Sequence, residues 1–387
     1  MSQPNTTHAG VAAVLAMTMA LVPLALDTYL PAFPLIASSL DISVHDVAKS
    51  VAVYVFVLAF GQLSGGPLSD RVGRQKVMLI GMFIFAASSL LLAITNSQPM
   101  FLFLRAMQAF GGGWAVVTVP ALVRDRLAGN EAAKFFSLIG LLMVCAPAIS
   151  PILGSSIIAF LDWRFIFAFL CLYSVITLVT VKRIVFKHKE PNVIKTRVST
   201  WRRYSDVISN RQAIRFILIG SLAFSVLILF LTHASFIYQQ HFNVSPVQFS
   251  ALLSANVVMM LIVNLSNRRL LNYFPTIDIL RWGLTIQSIA LLILIIMGCL
   301  DAPLWLFAIP MIIAIGVLGA VSPNIQSCYM DYFQQNSGTA AALLGATKFS
   351  IAGIISGIST LLPESLVYIV LVQLFCSLGY IVVIWRK

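Results

Sequence analysis

Long apolar runs of membrane-crossing length, with little between them, constrain this chain more than any other feature. The hydrocarbon core of a bilayer is about 30 Å thick, and a helix needs about 20 apolar residues to cross it. Of the 387 residues, 59% are hydrophobic and 10% are charged, against roughly 25% charged in a soluble domain. That composition excludes a water-soluble globule. Backbone polar groups inside hydrocarbon must be satisfied within their own segment, which makes each run a helix. We read twelve spans: 9–33, 47–67, 77–95, 99–122, 135–159, 164–182, 213–238, 247–266, 280–299, 303–326, 338–361 and 364–385. The expected fold class is an all-α integral membrane protein, with residues 1–182 and 213–387 as six-span halves and 183–212 as the linker.

The net charge of +12 reflects membrane topology rather than a nucleic-acid partner. Cations crowd the loops after spans 2, 4 and 8 (Arg71, Arg74 and Lys76; Arg124, Arg126 and Lys134; Arg268, Arg269 and Arg281) and the linker after span 6. Loops after the odd-numbered spans offer only Lys49 and Arg164. Lys and Arg are retained on the cytoplasmic side, so the even loops and both termini are expected there. The linker, with Lys187, Lys189, Lys195, Arg197, Arg202 and Arg203, fits the anionic surface of a membrane. The first ten residues hold no Lys or Arg, so the first run reads as a retained span rather than a cleaved leader. Five cysteines, odd in number and without C-x-x-C spacing, imply neither a disulfide framework nor a zinc site.

Within this apolar background a few residues stand out. Asp27, in Leu26-Asp27-Thr28-Tyr29-Leu30-Pro31, is the one acid well inside a span. An acid at that depth costs several kcal/mol unless it faces the bundle interior or a wet cavity, and there it can bind and release a proton. Arg105 lies in span 4 with Gln108 three residues on and Gly112 seven on, so all three share one helix face. Span 5 carries Pro147, Pro151 and Gly154, which predicts a bent helix with a small-residue face for close packing. Lys348 in span 11 is an ammonium among Leu343, Leu344, Phe349 and Ile351, open to three readings: cavity, ion pair, or a stem that snorkels to water. Tyr54, His233, Asn256, Asn264 and Gln326 are isolated polar positions in spans 2, 7, 8 and 10, suited to interhelical hydrogen bonds or ligand contact. Residues Gly66 to Lys76 (Gly-Pro-Leu-Ser-Asp-Arg-Val-Gly-Arg-Gln-Lys) are expected to form a charge-stapled turn between spans 2 and 3. Leu68-Ser69-Asp70-Arg71 recurs after span 8 as Leu265-Ser266-Asn267-Arg268, the mark of a parallel half-repeat. Phosphate-cradling G-K-[ST], H-E-x-x-H and serine-elbow motifs do not occur, so an ATP-driven pump or a known membrane hydrolase is poorly supported.

These residues resemble the major facilitator superfamily, and within it the twelve-span drug:proton antiporters of the Bcr/CflA type. The Gly66–Lys76 stretch is similar to that family's loop between spans 2 and 3. Asp27 with Tyr29 and Pro31, Arg105 with Gln108 and Gly111, Pro147 through Gly154, and Asp162-Trp163-Arg164 match its ordered motifs. Ala109 stands where the span-4 motif usually has Gly, and Ala146 where the span-5 motif does. The resemblance implies two pseudo-symmetric six-helix bundles around a central cavity that opens to each side in turn. It implies proton coupling through Asp27 and Arg105, and a cavity drawn from Asp27, Tyr54, Arg105, Gln108, His233, Asn256, Gln326 and Lys348. Gly66, Asp70, Arg71, Gly73 and Arg74 would form a conformational latch, with Asp70 facing the end of a second-half helix. Pro147, Pro151 and Gly154 would form the antiporter motif.

The implied function is proton-driven export of small amphipathic drugs by a monomer in the bacterial inner membrane. It needs no cofactor beyond the proton gradient, no metal and no catalytic residue. The alternative is export of one metabolite, such as an amino acid, a sugar or a siderophore. A channel or a membrane-embedded enzyme is remote, because the polar groups are scattered singly and form neither a ring nor a catalytic cluster.

Overall fold

A computed structural model describes the backbone of residues 6–126, 129–187, 209–333 and 337–385, and side chains within these except at 6–9, 124–144 and 337–339. Most of the basic linker, 188–208, lies outside the described residues, as do Arg386 and Lys387. Among the described residues every regular element is helical. Eleven runs are long and apolar enough to cross a membrane. The twelfth is Gly129–Phe160, 32 residues of helix. The protein is therefore a multi-pass integral membrane protein.

Span 2 is the helix Val44–Val72, span 3 Arg74–Leu92, span 4 Gln98–Arg126 and span 5 Gly129–Phe160. Span 6 is Arg164–Thr180. In the second half, span 7 is Arg211–Ser235, span 8 Pro246–Leu270 and span 9 Thr276–Cys299. Span 10 is Leu304–Gly316 continued by Leu318–Met330, span 11 Ser337–Ser359 and span 12 Leu366–Trp385. Spans 2 and 8 start alike. Ser43 and Asp46 bond reciprocally, and Ser245 and Gln248 form a full capping box, so each helix fills orphan donors at its first turn.

Two expectations need correcting. Span 1 does not stop near Pro31. The helix Thr6–Asp27 breaks just after the acid, passes through a 3-10 turn at Leu30–Ala32, and continues as Phe33–Leu40. Pro31 supplies no backbone donor and restricts the residue before it, so the break is local. The expected turn within residues 66–76 is present, but it is shorter than the gap between the expected spans 47–67 and 77–95. Helix persists through Pro67 to Val72, and a single residue, Gly73 (φ 102°), makes the turn. Gly tolerates that conformation without steric cost.

By contacts the chain forms two compact units, Met1–Tyr29 with Val57–Arg197, and Leu30–Phe56 with Val198–Lys387. In the first, span 3 packs on spans 4 and 6, and span 1 on spans 4 and 5. Backbones meet where side chains vanish. A Cβ on Gly111 would lie 2.5 Å from the Gly81 carbonyl, and one on Gly113 would lie 2.8 Å from the Leu58 carbonyl. In the second unit, span 7 packs on spans 10, 11 and 12 and span 8 on span 10. Its core includes Leu280, Leu284, Val321, Tyr329, Leu344 and Tyr380. Gly319 lies against the Met260 carbonyl, and Asn264 Nδ2 donates to the Gly319 carbonyl at 2.9 Å. Lipid gives helices no hydrophobic reason to associate, so close packing and such bonds hold them together.

Overpacking a tight contact costs about 1–3 kcal/mol. Gly111→Ala should therefore lower the thermal midpoint of the purified protein in detergent. Gly357→Ala, whose new methyl would first meet Ala52 Cβ at 3.9 Å, should leave it unchanged. Equal midpoints for the two variants would show that the Gly81–Gly111 contact is not limiting.

Candidate functional site

The first unit gathers its polar side chains around the break in span 1. Arg105 is fully buried, and its Nη1 donates to the Ala25 carbonyl at 3.1 Å and to Gln108 Oε1 at 2.5 Å. The guanidinium carbon lies 4.1 Å from the Tyr29 ring centroid. Gln108 passes the chain on by donating to Ser89 Oγ at 2.8 Å. A planar guanidinium that bonds at its edge and stacks on its face uses both capacities that distinguish Arg from Lys. Span 4 thus grips span 1 two residues before Asp27 and two residues after it.

Asp27 itself is 6% exposed, and its Oδ1 is buried without a hydrogen-bond partner among the described residues. Span 5 closes the other side. Gly154 packs on the Thr28 carbonyl, next to the acid. Its helix runs without interruption through Pro147 and Pro151. Of Asp162-Trp163-Arg164, at one end of this unit, only the tryptophan folds inward. Trp163 is 1% exposed and meets Phe101 and Phe167 edge-on, while Arg164 Nη2 donates to Asn96 Oδ1 at 2.6 Å.

At the turn after span 2, Arg74 pairs with Asp70 and donates to Ser69 Oγ at 2.6 Å. The staple is thus internal to the segment. Gly66 stands in open packing, with the nearest atom 3.9 Å from its would-be Cβ, and Arg71 is exposed.

In the second unit the expected residues are dispersed. Tyr54 is fully buried. His233 Nε2 bonds Ser359 Oγ at 2.9 Å, joining span 7 to span 11, where Thr232 and Ser356 also meet at 2.6 Å. Asn256 Nδ2 turns back to its own helix at Leu252 O, 2.8 Å away. Gln326 is exposed. Lys348 Nζ sits 4.0 Å from the Phe224 ring centroid, a cation on an aromatic face, and makes no ion pair among the described residues. Among the described residues no hydrogen bond joins His233, Asn256, Gln326 and Lys348 to one another.

Sequence reasoning missed a reciprocal amide pair. Asn267 Nδ2 donates to Asn324 Oδ1 at 3.2 Å and Asn324 Nδ2 returns a bond at 2.9 Å, both side chains buried. The repeat held the signal, since Asn267 occupies the place of Asp70. Also missed was a cluster at the start of span 2, where His45 reaches Glu364 and Thr360.

The family model described as Major Facilitator Superfamily matches residues 15–357. The chain is similar to a bicyclomycin resistance protein homolog of Haemophilus influenzae, 30% identical over 87% of this chain and 85% of that protein. A Vibrio parahaemolyticus multidrug resistance protein, MdtL, is 24% identical over 85% and 83%. A chloramphenicol resistance protein of Pseudomonas aeruginosa is 38% identical over 39% of this chain and 36% of its own length. Among solved structures, a D-xylose-proton symporter superposes with a TM-score of 0.78 at 14% identity, covering 97% of this chain and 96% of its own. That identity speaks for the fold alone.

Gly154→Ala would drive a methyl into the Thr28 carbonyl and displace the acid beside it. The reactivity of Asp27 toward a hydrophobic carbodiimide should change several-fold, read by mass spectrometry of the span-1 peptide. Gly66→Ala should not alter it. Unchanged labelling in Gly154→Ala would mean that span 5 does not position the acid.

Proposed function

Because the chain belongs to the major facilitator superfamily, we propose that it is a proton-driven exporter of small amphipathic antibacterial compounds, working by alternating access. One observation carries the coupling role. Asp27 is a buried acid with an unbonded oxygen at a helix break, framed by Arg105 through Ala25 and Tyr29. The resistance proteins it resembles support drugs as the cargo. The agent that ejects drug is the proton gradient, and the reading assigns no catalytic residue and no cofactor.

In this reading Asp27 releases its proton to the cytoplasm when drug binds and regains one from outside after drug leaves. Each ligand biases the conformational equilibrium only by its differential affinity for the two states. Arg105 holds span 1 on either side of the acid, through the Ala25 carbonyl and the Tyr29 ring. The Arg74–Asp70–Ser69 staple stiffens the turn at Gly73 on the cytoplasmic side. In this reading that side, and both termini, face the cytoplasm across a bacterial inner membrane, which the excess of Lys and Arg in the even loops supports. The transporter is a monomer.

Asp27→Asn should abolish uphill efflux of chloramphenicol or bicyclomycin from a pump-deficient bacterium while leaving expression and thermal midpoint intact. Wild-type gradients in that variant, or wild-type efflux that survives an uncoupler, would remove the proton-antiport reading.

Lys348 bears on cargo charge. A fixed ammonium facing the bound compound favours neutral, zwitterionic or anionic molecules over lipophilic cations, by roughly 1 kcal/mol or more where the pair is shielded from water. Lys348→Gln should weaken export of neutral drugs and admit ethidium. Strong ethidium export by the wild type, unchanged in Lys348→Gln, would place the ammonium away from the cargo.

A further inference from the structure

The start of span 2 is joined to the turn between spans 11 and 12 by one imidazole. His45 Nδ1 lies 3.1 Å from Glu364 Oε1, and His45 Nε2 lies 2.5 Å from the Thr360 carbonyl oxygen. The two contacts reach across 319 and 315 residues of sequence. Both side chains are shielded, at 17% and 27% exposure. The same joint has a second tie, since Gln239 Nε2 donates to the Pro31 carbonyl at 2.9 Å.

The chemistry of these atoms fixes a proton count. A carbonyl oxygen only accepts, so Nε2 must carry hydrogen. A carboxylate oxygen also only accepts, so if Glu364 is ionised, Nδ1 carries hydrogen too and the ring is an imidazolium. If Glu364 is instead protonated, its hydroxyl donates to a bare Nδ1. In either arrangement the pair holds one proton more than a neutral imidazole beside a carboxylate. With that proton absent, Nδ1 and Glu364 Oε1 become two acceptors 3.1 Å apart, and the contact is repulsive.

The groups around the pair do not supply the proton. Asp46, on the same helix as His45, is held by Lys49 at 2.6 Å and by Ser43 at 2.8 Å, and its charge acts on Glu364 only to repel. Burial pushes the Glu364 carboxyl above its ordinary value, while His45 pulls it down. From span 7, the His233 ring lies 6.4 Å from that of His45 and is engaged with Ser359.

We propose that His45 and Glu364 form a second proton-binding site, separate from Asp27, that takes up one proton from the extracytoplasmic side when the ends of spans 1 and 2 close on spans 7 and 11, and returns it to that side when they open. The side follows from the topology, and the opening from the alternating access, of the proposed transporter. A free imidazole is largely neutral above pH 7. Closure therefore binds a proton, and by linkage it strengthens as external pH falls and weakens as external pH rises. Acid outside thus favours return of the emptied transporter from its outward-open state. This proton crosses no membrane and adds nothing to the transport stoichiometry.

The test uses the full-length protein in nanodiscs, its five cysteines replaced, with spin labels at Ser38→Cys and Leu361→Cys, both exposed. Double electron–electron resonance gives the closed-to-open ratio from pH 5.5 to 8.5. Uptake of one proton makes that ratio fall up to about tenfold per pH unit above the free imidazole value. The fall should vanish in His45→Gln and in Glu364→Gln and persist in Asp27→Asn. Persistence in either of the first two variants, loss in Asp27→Asn, or a pH-independent wild type would each overturn the proposal. Drug efflux is not read in this experiment, so its outcome and that of the exporter reading are independent.

Discussion

The arrangement of the first unit follows from seating one guanidinium, that of Arg105, in a membrane interior. Its edge takes a carbonyl of span 1 and the amide of Gln108, and its face takes Tyr29. Gln108, committed to the guanidinium, passes its own donor to Ser89 in span 3. Three spans are thus tied by one charge, and its contacts on span 1 fall two residues to either side of Asp27. Breaking such a buried set by removing one partner leaves unsatisfied groups at about 1–3 kcal/mol each, more for a charged one.

Around that cluster the packing is set by what is missing. Gly81 with Gly111, Gly113 with Leu58, Gly154 with Thr28, and Gly319 with Met260 bring backbones together, and each contact leaves no room for a methyl. Polar groups are then added sparingly, at Asn264, Gln287, Gln373 and the Asn267–Asn324 pair. The second unit has a neutral amide, Asn267, at the place in the repeat where the first has Asp70, and it pairs with Asn324 of span 10 rather than with its own turn.

The spans were legible because hydrophobic length is a one-dimensional property, and the ends of most helices fall within a few residues of where the apolar runs end. Asp27 and Arg105 were legible because a charge deep in an apolar run is tolerated only where the bundle interior offers it partners or water. Residues 66–72 read as a loop because Gly and Pro punctuate soluble chains, whereas the helix tolerates both there. The partners of His45 were not legible at all. They are 319 and 315 residues away, and no local pattern in either segment points to the other. The dispersion of His233, Asn256 and Gln326 was equally hidden, since helical facing cannot be read from isolated polar positions.

Gly73 has a consequence for how the chain enters a bilayer. Helices of 29 and 19 residues separated by a single residue cannot be oriented independently, so whichever way span 2 points, span 3 must point back. Arg71, Arg74 and Lys76 sit at that bend. Inverting the pair would carry all three cations across the hydrocarbon, at roughly 2.5–3.5 kcal/mol apiece on insertion scales. One glycine and three cations thus bind spans 2 and 3 into a helical hairpin whose two members enter the membrane with one shared direction.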